Sequence, residues 1–225
     1  MASRLLTLWI AVLVLVPFFT DVRAQQVVDK IVATVNDGVK TELITLSDLR
    51  WQLALQPGVS IAPASSEDLN RALQTLIDQR LFALEAERIP GKEPDDASIA
   101  NEVKETLSFF PSTADFESRL RTVGFESVKD PNFERMMERR LRIKYYLEFR
   151  FRSFVVITPD DEKNYYRDRF TPDFRRRFPG VVLPAFEERR RQINETLTEE
   201  KVAANIESFL DEAKRRAEIV VLGEV

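Results

Sequence analysis

Clear strand-like segments occur in this 225-residue sequence only near the two ends of the part expected to fold. Residues 31–35 and 39–45 are rich in β-branched side chains, and residues 219–222 form a similar short run. A strand without a neighbour leaves a row of backbone N–H and C=O groups unpaired. We therefore expect the last strand to pair with the first two, which brings the chain ends together with the remaining residues between them.

The first two strands are separated by a turn sequence, and they predict a β-hairpin. Asp37 and Gly38 tolerate the left-handed backbone that the central positions of a type I′ turn require. The sequence therefore predicts a tight turn centred on these two residues, with the returning strand starting at Val39.

Helical spacing of apolar residues fills the region between the strands, where Gly is rare: the whole sequence has six, against 31% charged residues. Pro, Gly and capping residues divide this region into predicted helices. They cover residues 46–55, 66–89, 95–110, 116–123, 131–154, a short helix from Thr158 through Tyr166, and 184–216, with a loop over 56–66 and a connector over 171–184. The predicted fold is mostly α: a multi-helix domain with a small N-terminal β-hairpin that a C-terminal strand joins.

Two of these helices have an unusual apolar pattern. The helix over 131–154 carries two apolar stripes, which implies contact on more than one side. Its stripes are Met136, Ile143, Leu147 and Phe154, and Phe133, Met137, Leu141, Tyr145 and Phe149. The last helix changes its apolar face near Thr198, so it either kinks there or packs first against one body and then against another.

The N-terminal residues have the pattern of an export signal. Arg4 precedes an apolar run over residues 5–19, and residues 22–24 resemble a signal-peptidase site. The run is shorter than the roughly 20 residues of a membrane-spanning helix. We expect residues 1–24 to be removed, which places the protein in the periplasm without a stable membrane anchor. An uncleaved N-terminal anchor is the alternative.

Charge is unevenly distributed along the chain. Residues 131–191 carry 16 basic and 10 acidic side chains, whereas the whole sequence has a net charge of −4. Acids interrupt the basic runs, so solvated helix faces explain most of this charge, and we expect no nucleic-acid partner. Attraction toward acidic polypeptides or anionic lipid is the alternative.

The sequence contains no His and no Cys, which limits the chemistry it can perform. A Ser-His-Asp triad, a Cys–His pair and the usual zinc sites all require one of these residues. A carboxylate-only site stays open, but Asp95-Asp96 and Asp160-Asp161-Glu162 lie at predicted helix starts, where the helix dipole accounts for them. We expect no catalytic residue, no cofactor and no metal.

Aromatic and Met residues are the most promising candidates for binding. The sequence has 16 Phe residues, and Met136-Met137 and Tyr145-Tyr146 lie on the helix with two apolar stripes. Polarizable Met and flat aromatic rings suit surfaces that accept varied partners. The residues predicted to contact an unfolded client are Met136, Met137, Tyr145, Tyr146 and Phe149. Core packing is the alternative for each of them.

Several segments resemble SurA-type periplasmic chaperones and their relatives, the parvulin-type prolyl isomerases. Residues 28–38 (VDKIVATVNDG) and 44–49 (ITLSDL) are similar to the opening of these proteins, and residues 76–81 (LIDQRL) to a helix that follows. Residues 116–124 resemble a further helix of the family, and residues 186–219 its last helix and strand, which complete the N-terminal domain.

The sequence departs from the family where its isomerases carry parvulin domains, whose sites use His and often Cys. Only residues 159–183 lie between the helical part and the last helix. The resemblance thus implies a signal peptide over 1–24, a SurA N-terminal-like chaperone domain over 25–158, a connector over 159–183, and a segment over 184–222 that completes the domain.

The resemblance implies an ATP-independent chaperone that binds unfolded outer-membrane or secreted polypeptides and is not an enzyme. Two alternatives remain: a prolyl isomerase relative with residual activity, and a structural adaptor subunit of an envelope assembly complex. The sequence also leaves open whether copies of the chain form a homo-oligomer.

Overall fold

The computed structural model describes residues 29–89 and 91–223. The predicted signal peptide over residues 1–24 and its cleavage site lie outside the described residues. Helices make up most of the described residues, and three strands form one small sheet. The predicted fold class is confirmed.

A three-stranded antiparallel sheet joins the two ends of the described chain. It contains β1 (Ile31–Asn36), β2 (Thr41–Thr45) and β3 (Glu218–Val221) in the order β2-β1-β3. The central strand β1 pairs with β3 from Ala33 opposite Val221 to Asn36 opposite Glu218. The predicted pairing of the last strand with the N-terminal hairpin is therefore confirmed.

The hairpin turn differs from the predicted type I′ turn. Strand β2 begins at Thr41 rather than Val39, so residues 37–40 form a four-residue loop. Within this loop only Gly38 has a positive φ, of +88°, whereas a type I′ turn needs two such residues. The Asp37 carboxylate explains the wider loop, because it accepts hydrogen bonds from the backbone N–H groups of Val39 (2.9 Å) and Lys40 (2.8 Å).

Of the eight α-helices among the described residues, six begin at a residue whose side chain accepts a hydrogen bond from the first turn, which satisfies a backbone N–H that the helix leaves unpaired. These caps are Thr45, Ser65, Asp95, Ser112, Asp130 and Thr158. The helices are α1 (Leu46–Ala54), α2 (Ser66–Arg88), α3 (Asp96–Leu107), α4 (Thr113–Thr122), α5 (Pro131–Leu147), α6 (Pro159–Tyr165), α7 (Thr171–Arg177) and α8 (Phe186–Arg216).

Three apolar clusters form the interior. The first lies between the sheet, α1, α2 and the end of α8, and the third joins α2 to α5 and α8. The second is aromatic: Phe116 and Phe133 are fully buried, and their rings meet edge to face at 5.9 Å. Helix α5 contacts both α2 and α3, and its apolar residues are divided between the second and third clusters, so the helix is buried on more than one side.

Helix α5 ends earlier than predicted. Its α-helical part stops at Leu147, and a π-helical turn over Glu148–Arg152 follows. The wider turn places Phe151 in the third cluster, where its side chain is buried. Phe149 and Phe154, the last members of the two predicted stripes, remain exposed.

The prediction of a connector over residues 171–184 is wrong for residues 171–177, which are helical. Helix α6 continues through a π-helical turn, Tyr166–Phe170, into α7, despite Pro172. Proline disrupts a helix because it lacks an N–H and crowds the carbonyl of the preceding turn. Here that preceding turn is π-helical, which widens the backbone where the ring would crowd it. Only residues 178–185 connect α7 to α8.

Helix α8 is one uninterrupted element of 31 residues, and its change of apolar face reflects two different neighbours. Ile193 is buried in the part that packs against α6, whereas Val202 and Ala213 are buried against the clusters of the rest of the protein. We call residues 158–201 the arm and the other described residues the body. In the arm, α6 lies against the first half of α8, and α7 continues from α6 through the π-helical turn.

Candidate functional site

A pocket of about 330 Å³ opens beside the C-terminal end of α5. Two segments far apart in the sequence build it: the end of α2 with the loop after it, and one face of α5. Its lining residues are Ala86, Ile89, Gly91, Lys92, Glu93, Arg142, Tyr145, Tyr146 and Phe149. Three of the five predicted client-contact residues therefore line one pocket.

The aromatic side chains of this pocket are held at different depths. Tyr146 is 7% exposed and belongs to the third cluster, and burial raises the pKa of its hydroxyl group. Tyr145 is half-buried, with the Lys92 ammonium 5.3 Å from its ring centre. Phe149 is 52% exposed at the outer edge. The pocket thus has a rigid inner wall and a solvent-facing aromatic rim.

An exposed apolar surface continues from the pocket past the π-helical turn. The Phe154 ring meets Phe149 edge to face at 5.8 Å and is 69% exposed. Val156, two residues further along, is 68% exposed. Large apolar side chains this exposed are ordinary when single, but a pair of exposed aromatic rings in contact next to a pocket indicates a binding surface. We call the pocket together with Phe154 and Val156 the aromatic surface.

Charged groups surround the pocket without filling it. Arg142 forms ion pairs with Glu93 at 2.7 Å and with Glu138 at 2.9 Å. All three side chains remain partly exposed to solvent, where ion pairs contribute little to stability. Their effect is to surround an apolar centre with polar groups of both signs, an arrangement found in many protein-binding sites.

A second groove, of about 650 Å³, lies on another side of α5, between that helix, α2, α3 and α8. Its apolar floor includes Phe82, Ile143, Leu147, Val202, Ile206 and Leu210. Ion pairs border it: Lys144 with Glu105 and Glu102, both at 3.0 Å, and Arg152 with Glu199 at 2.6 Å. Hydrogen bonds to Glu105 and Glu102 raise the pKa of Lys144, and burial lowers the pKa of Arg140.

The two Met residues predicted to contact a client lie elsewhere. Met137 has no exposed surface and packs in the aromatic second cluster beside Phe133. Met136 is partly buried against the same cluster. Both occupy the first half of α5, where α3 and α4 cover the helix, so we leave them out of the aromatic surface.

Residues on the other wall of the pocket were not among the predicted contacts. Ile89 and Lys92 lie about 50 positions before Tyr145 and Phe149 in the sequence. Nothing in the local pattern of residues 89–93 marks them as binding residues. Phe154 did carry a signal, since it ends one of the two apolar stripes of α5.

Comparisons and global properties add little to this geometry. No protein-family model matches the chain, and no curated protein matches it. Among residues 29–89 and 91–223, no helix is both long enough and apolar enough to cross a membrane. Within the same residues, no group of three or more His, Cys, Asp or Glu side chains is placed to hold a metal ion.

Proposed function

We propose that this protein is an ATP-independent chaperone of the periplasm, which holds unfolded outer-membrane or secreted polypeptides until they fold. The observation that carries the proposal is the aromatic surface, where Tyr145 and Phe149 line a pocket that continues into the exposed ring of Phe154. The resemblance of residues 28–49 to SurA-type chaperones and the export signal over residues 1–24 support the same function.

The physical basis is burial of client side chains on a surface that is already formed. Removing apolar area from water contributes about 25 cal/mol per Å², so one client side chain supplies at most about 3 kcal/mol. Such contacts are individually weak and select for apolar character rather than for one sequence. A chaperone that must release its clients without ATP requires this kind of reversible binding.

The second groove gives an extended client further contact. Its floor residue Leu147 and the pocket residue Tyr146 are adjacent on α5, so the two depressions lie on different sides of the same helix. An extended polypeptide that crosses the end of α5 would place side chains in both. Its backbone would meet the charged rims, where Lys92, Arg142 and Lys144 offer hydrogen-bond donors.

Aggregation of a denatured outer-membrane protein, measured by light scattering after dilution, tests the proposal. The chain from residue 25 onward should suppress the aggregation at a near-equimolar ratio. The double variant Phe149→Ser/Phe154→Ser should lose most of this suppression, because both rings are exposed on the aromatic surface. Phe109→Ser is the matched control, since Phe109 is 65% exposed at the end of α3 and outside the pocket lining.

Two results would contradict the proposal: no suppression by the unaltered chain, or equal suppression by the double variant and the unaltered chain. We also propose that the protein does not catalyse prolyl isomerisation. A proline-limited refolding reaction should therefore proceed at its background rate, and any acceleration would favour the isomerase alternative. Crosslinking in the periplasm to one dominant folded partner would favour the adaptor alternative.

A further inference from the structure

We infer that the tip of the arm, residues 173–183, docks onto the surface of a lipid bilayer that carries anionic phospholipids. The tip contains the end of α7 and the turn toward α8. It lies outside the aromatic surface, and the inference is independent of the proposed chaperone function.

The turn after α7 carries apolar side chains that are unusually exposed. Phe178 is 51% exposed, Val181 is 59% exposed and Val182 is 87% exposed, and all three lie within five positions. Gly180, with a φ of +81°, makes the tight turn between them. None of the three belongs to any of the three apolar clusters. A turn that holds three large apolar side chains in water gains free energy when they enter an apolar phase.

A group of cations comes directly before these apolar residues in the chain. Arg175, Arg176 and Arg177 form the last turn of α7, and all three are exposed. Arg176 and Arg177 share the single carboxylate of Asp173, and Arg175 has no ion pair within the described residues. Residues 173–183 therefore carry three cations and one anion. Guanidinium groups match the geometry of phosphate oxygens and can bind them through two hydrogen bonds.

The order of these groups matches the layers of an anionic membrane leaflet. Phosphate groups lie at the surface, and acyl chains lie a few ångströms below. A tip that carries three exposed apolar side chains and three neighbouring Arg residues offers a group to each of these layers. An isolated phosphate ion would leave Phe178, Val181 and Val182 in water, and a folded protein partner would not need both layers.

A column of aromatic rings gives the tip a fixed support. Tyr166, Phe170, Phe174 and Phe178 follow one another at four-residue spacing, with ring centres 5.5, 5.7 and 5.1 Å apart. The Tyr166 hydroxyl also donates a hydrogen bond to the Pro184 carbonyl oxygen at 2.6 Å, which ties the column to the start of α8. Because Phe178 ends this column, its position is set before any membrane contact.

The length of the arm separates membrane contact from the body. Phe186 begins α8, and Val202 is its first residue buried in the third cluster. At 1.5 Å per helical residue, these two positions are about 24 Å apart along the helix axis. The tip could therefore rest on a bilayer while the body, including the aromatic surface, stays in the aqueous phase above it.

Vesicle flotation of the chain from residue 25 onward, which retains every described element, tests the inference. The protein should float with vesicles of phosphatidylglycerol and phosphatidylcholine at low salt, and much less with phosphatidylcholine alone. The variant Val181→Ser/Val182→Ser should bind the anionic vesicles about tenfold more weakly. The variant Arg175→Gln/Arg176→Gln/Arg177→Gln should lose the preference for anionic lipid.

Two control variants match these changes in exposure. Val39→Ser alters a residue that is also 87% exposed but lies in the hairpin loop, and Arg191→Gln alters a cation whose side chain is 94% exposed on α8. Both should bind the vesicles like the unaltered chain, and circular dichroism should show the same helix content in all variants. No flotation with anionic vesicles, or equal flotation of the tip variants and the controls, would overturn the inference. Retained capture of a protein partner by a chain that does not float would assign the tip to that partner instead.

Discussion

The body and the arm are both helical, but different interactions hold them together. The body has three apolar clusters, and residues such as Phe116 and Phe133 have no exposed surface. Within the arm, only Glu162 and Ile193 are buried, and one of these two is charged. The arm relies instead on its aromatic column and on ion pairs between its helices, among them Arg169 with Glu200 at 2.6 Å.

This difference shows how a helical hairpin can project from a protein without an apolar core of its own. The Glu162 carboxylate accepts hydrogen bonds from Asn194 Nδ2 at 2.7 Å and from Arg190 Nε at 2.8 Å. These contacts specify how α6 lies against α8, but they exclude less water than an apolar cluster does. We therefore expect the arm to open locally at a lower free energy than the body unfolds.

The largest expected effect comes from truncating a core ring of the body. Phe133→Ala should lower the free energy of unfolding by about 3–5 kcal/mol, because it removes a fully buried ring and leaves a cavity. Urea denaturation followed by circular dichroism measures this change. Phe109→Ala is the control, and its effect should stay within about 0.5 kcal/mol, since its ring is 65% exposed. A similar loss in both variants would mean that the second cluster is not the core we describe.

A smaller effect is expected when the buried carboxylate of the arm is neutralised. Glu162→Gln should destabilise the arm by about 1–3 kcal/mol, since it removes the charge that Arg190 and Asn194 contact. Hydrogen exchange of residues 159–177, followed by mass spectrometry, should show faster exchange there and little change in α2. Glu187→Gln is the control, because Glu187 is 75% exposed and lies 3.8 Å from the same Arg190. Equal exchange in the two variants would show that the Glu162 carboxylate does not hold α6 against α8.

The same carboxylate gives the arm a predictable dependence on pH. The hydrogen bond from Asn194 and the ion pair with Arg190 hold the pKa of Glu162 below its ordinary value of 4.5, although desolvation opposes them. A lowered folded-state pKa contributes stability that is complete above pH 4.5 and is lost as the pH falls through the folded-state value. The difference in exchange between the unaltered chain and Glu162→Gln should therefore shrink on acidification. A difference that grows instead would contradict this sign.

The smallest effect should come from one hydroxyl group in the arm. Tyr166→Phe keeps the aromatic column but removes the hydrogen bond to the Pro184 carbonyl oxygen. We expect a loss of about 0.5–1.5 kcal/mol, confined to the arm. Hydrogen exchange at residues 178–185 measures it, and Tyr165→Phe serves as the control. If the two substitutions gave the same result, the tie between Tyr166 and the start of α8 would not contribute to the arm.

Local interactions explain which features could be predicted from the sequence. The helix starts at Asp95 and Thr158 follow from side chains that bond to the first turn, within three residues of the cap. The pairing of β3 with β1 was also predictable, because few strands were available to satisfy its backbone. The prediction of a type I′ turn was wrong because the Asp37 carboxylate accepts hydrogen bonds from two backbone N–H groups of a wider loop.

The prediction of a connector over residues 171–184 was wrong because a helix continues through a proline. A proline usually marks a helix boundary, and residues 171–184 contain three, but the π-helical turn before Pro172 lets α6 continue into α7. The aromatic column then spans this junction from Phe170 to Phe174. Its four-residue spacing was visible in the sequence, although the prolines and the glycine of this region obscured it.

The sequence by itself determined where most helices begin, which strands pair and that α5 carries more apolar surface than one neighbour can bury. Only the tertiary structure decided which part of α5 stays uncovered. Helices α3 and α4 bury Met137, whereas the residues after α2 leave Tyr145 and Phe149 beside an open pocket. The physical reason is that caps and turns depend on neighbours in the chain, whereas exposure depends on which distant segments pack against a residue, such as residues 89–93 beside Tyr145.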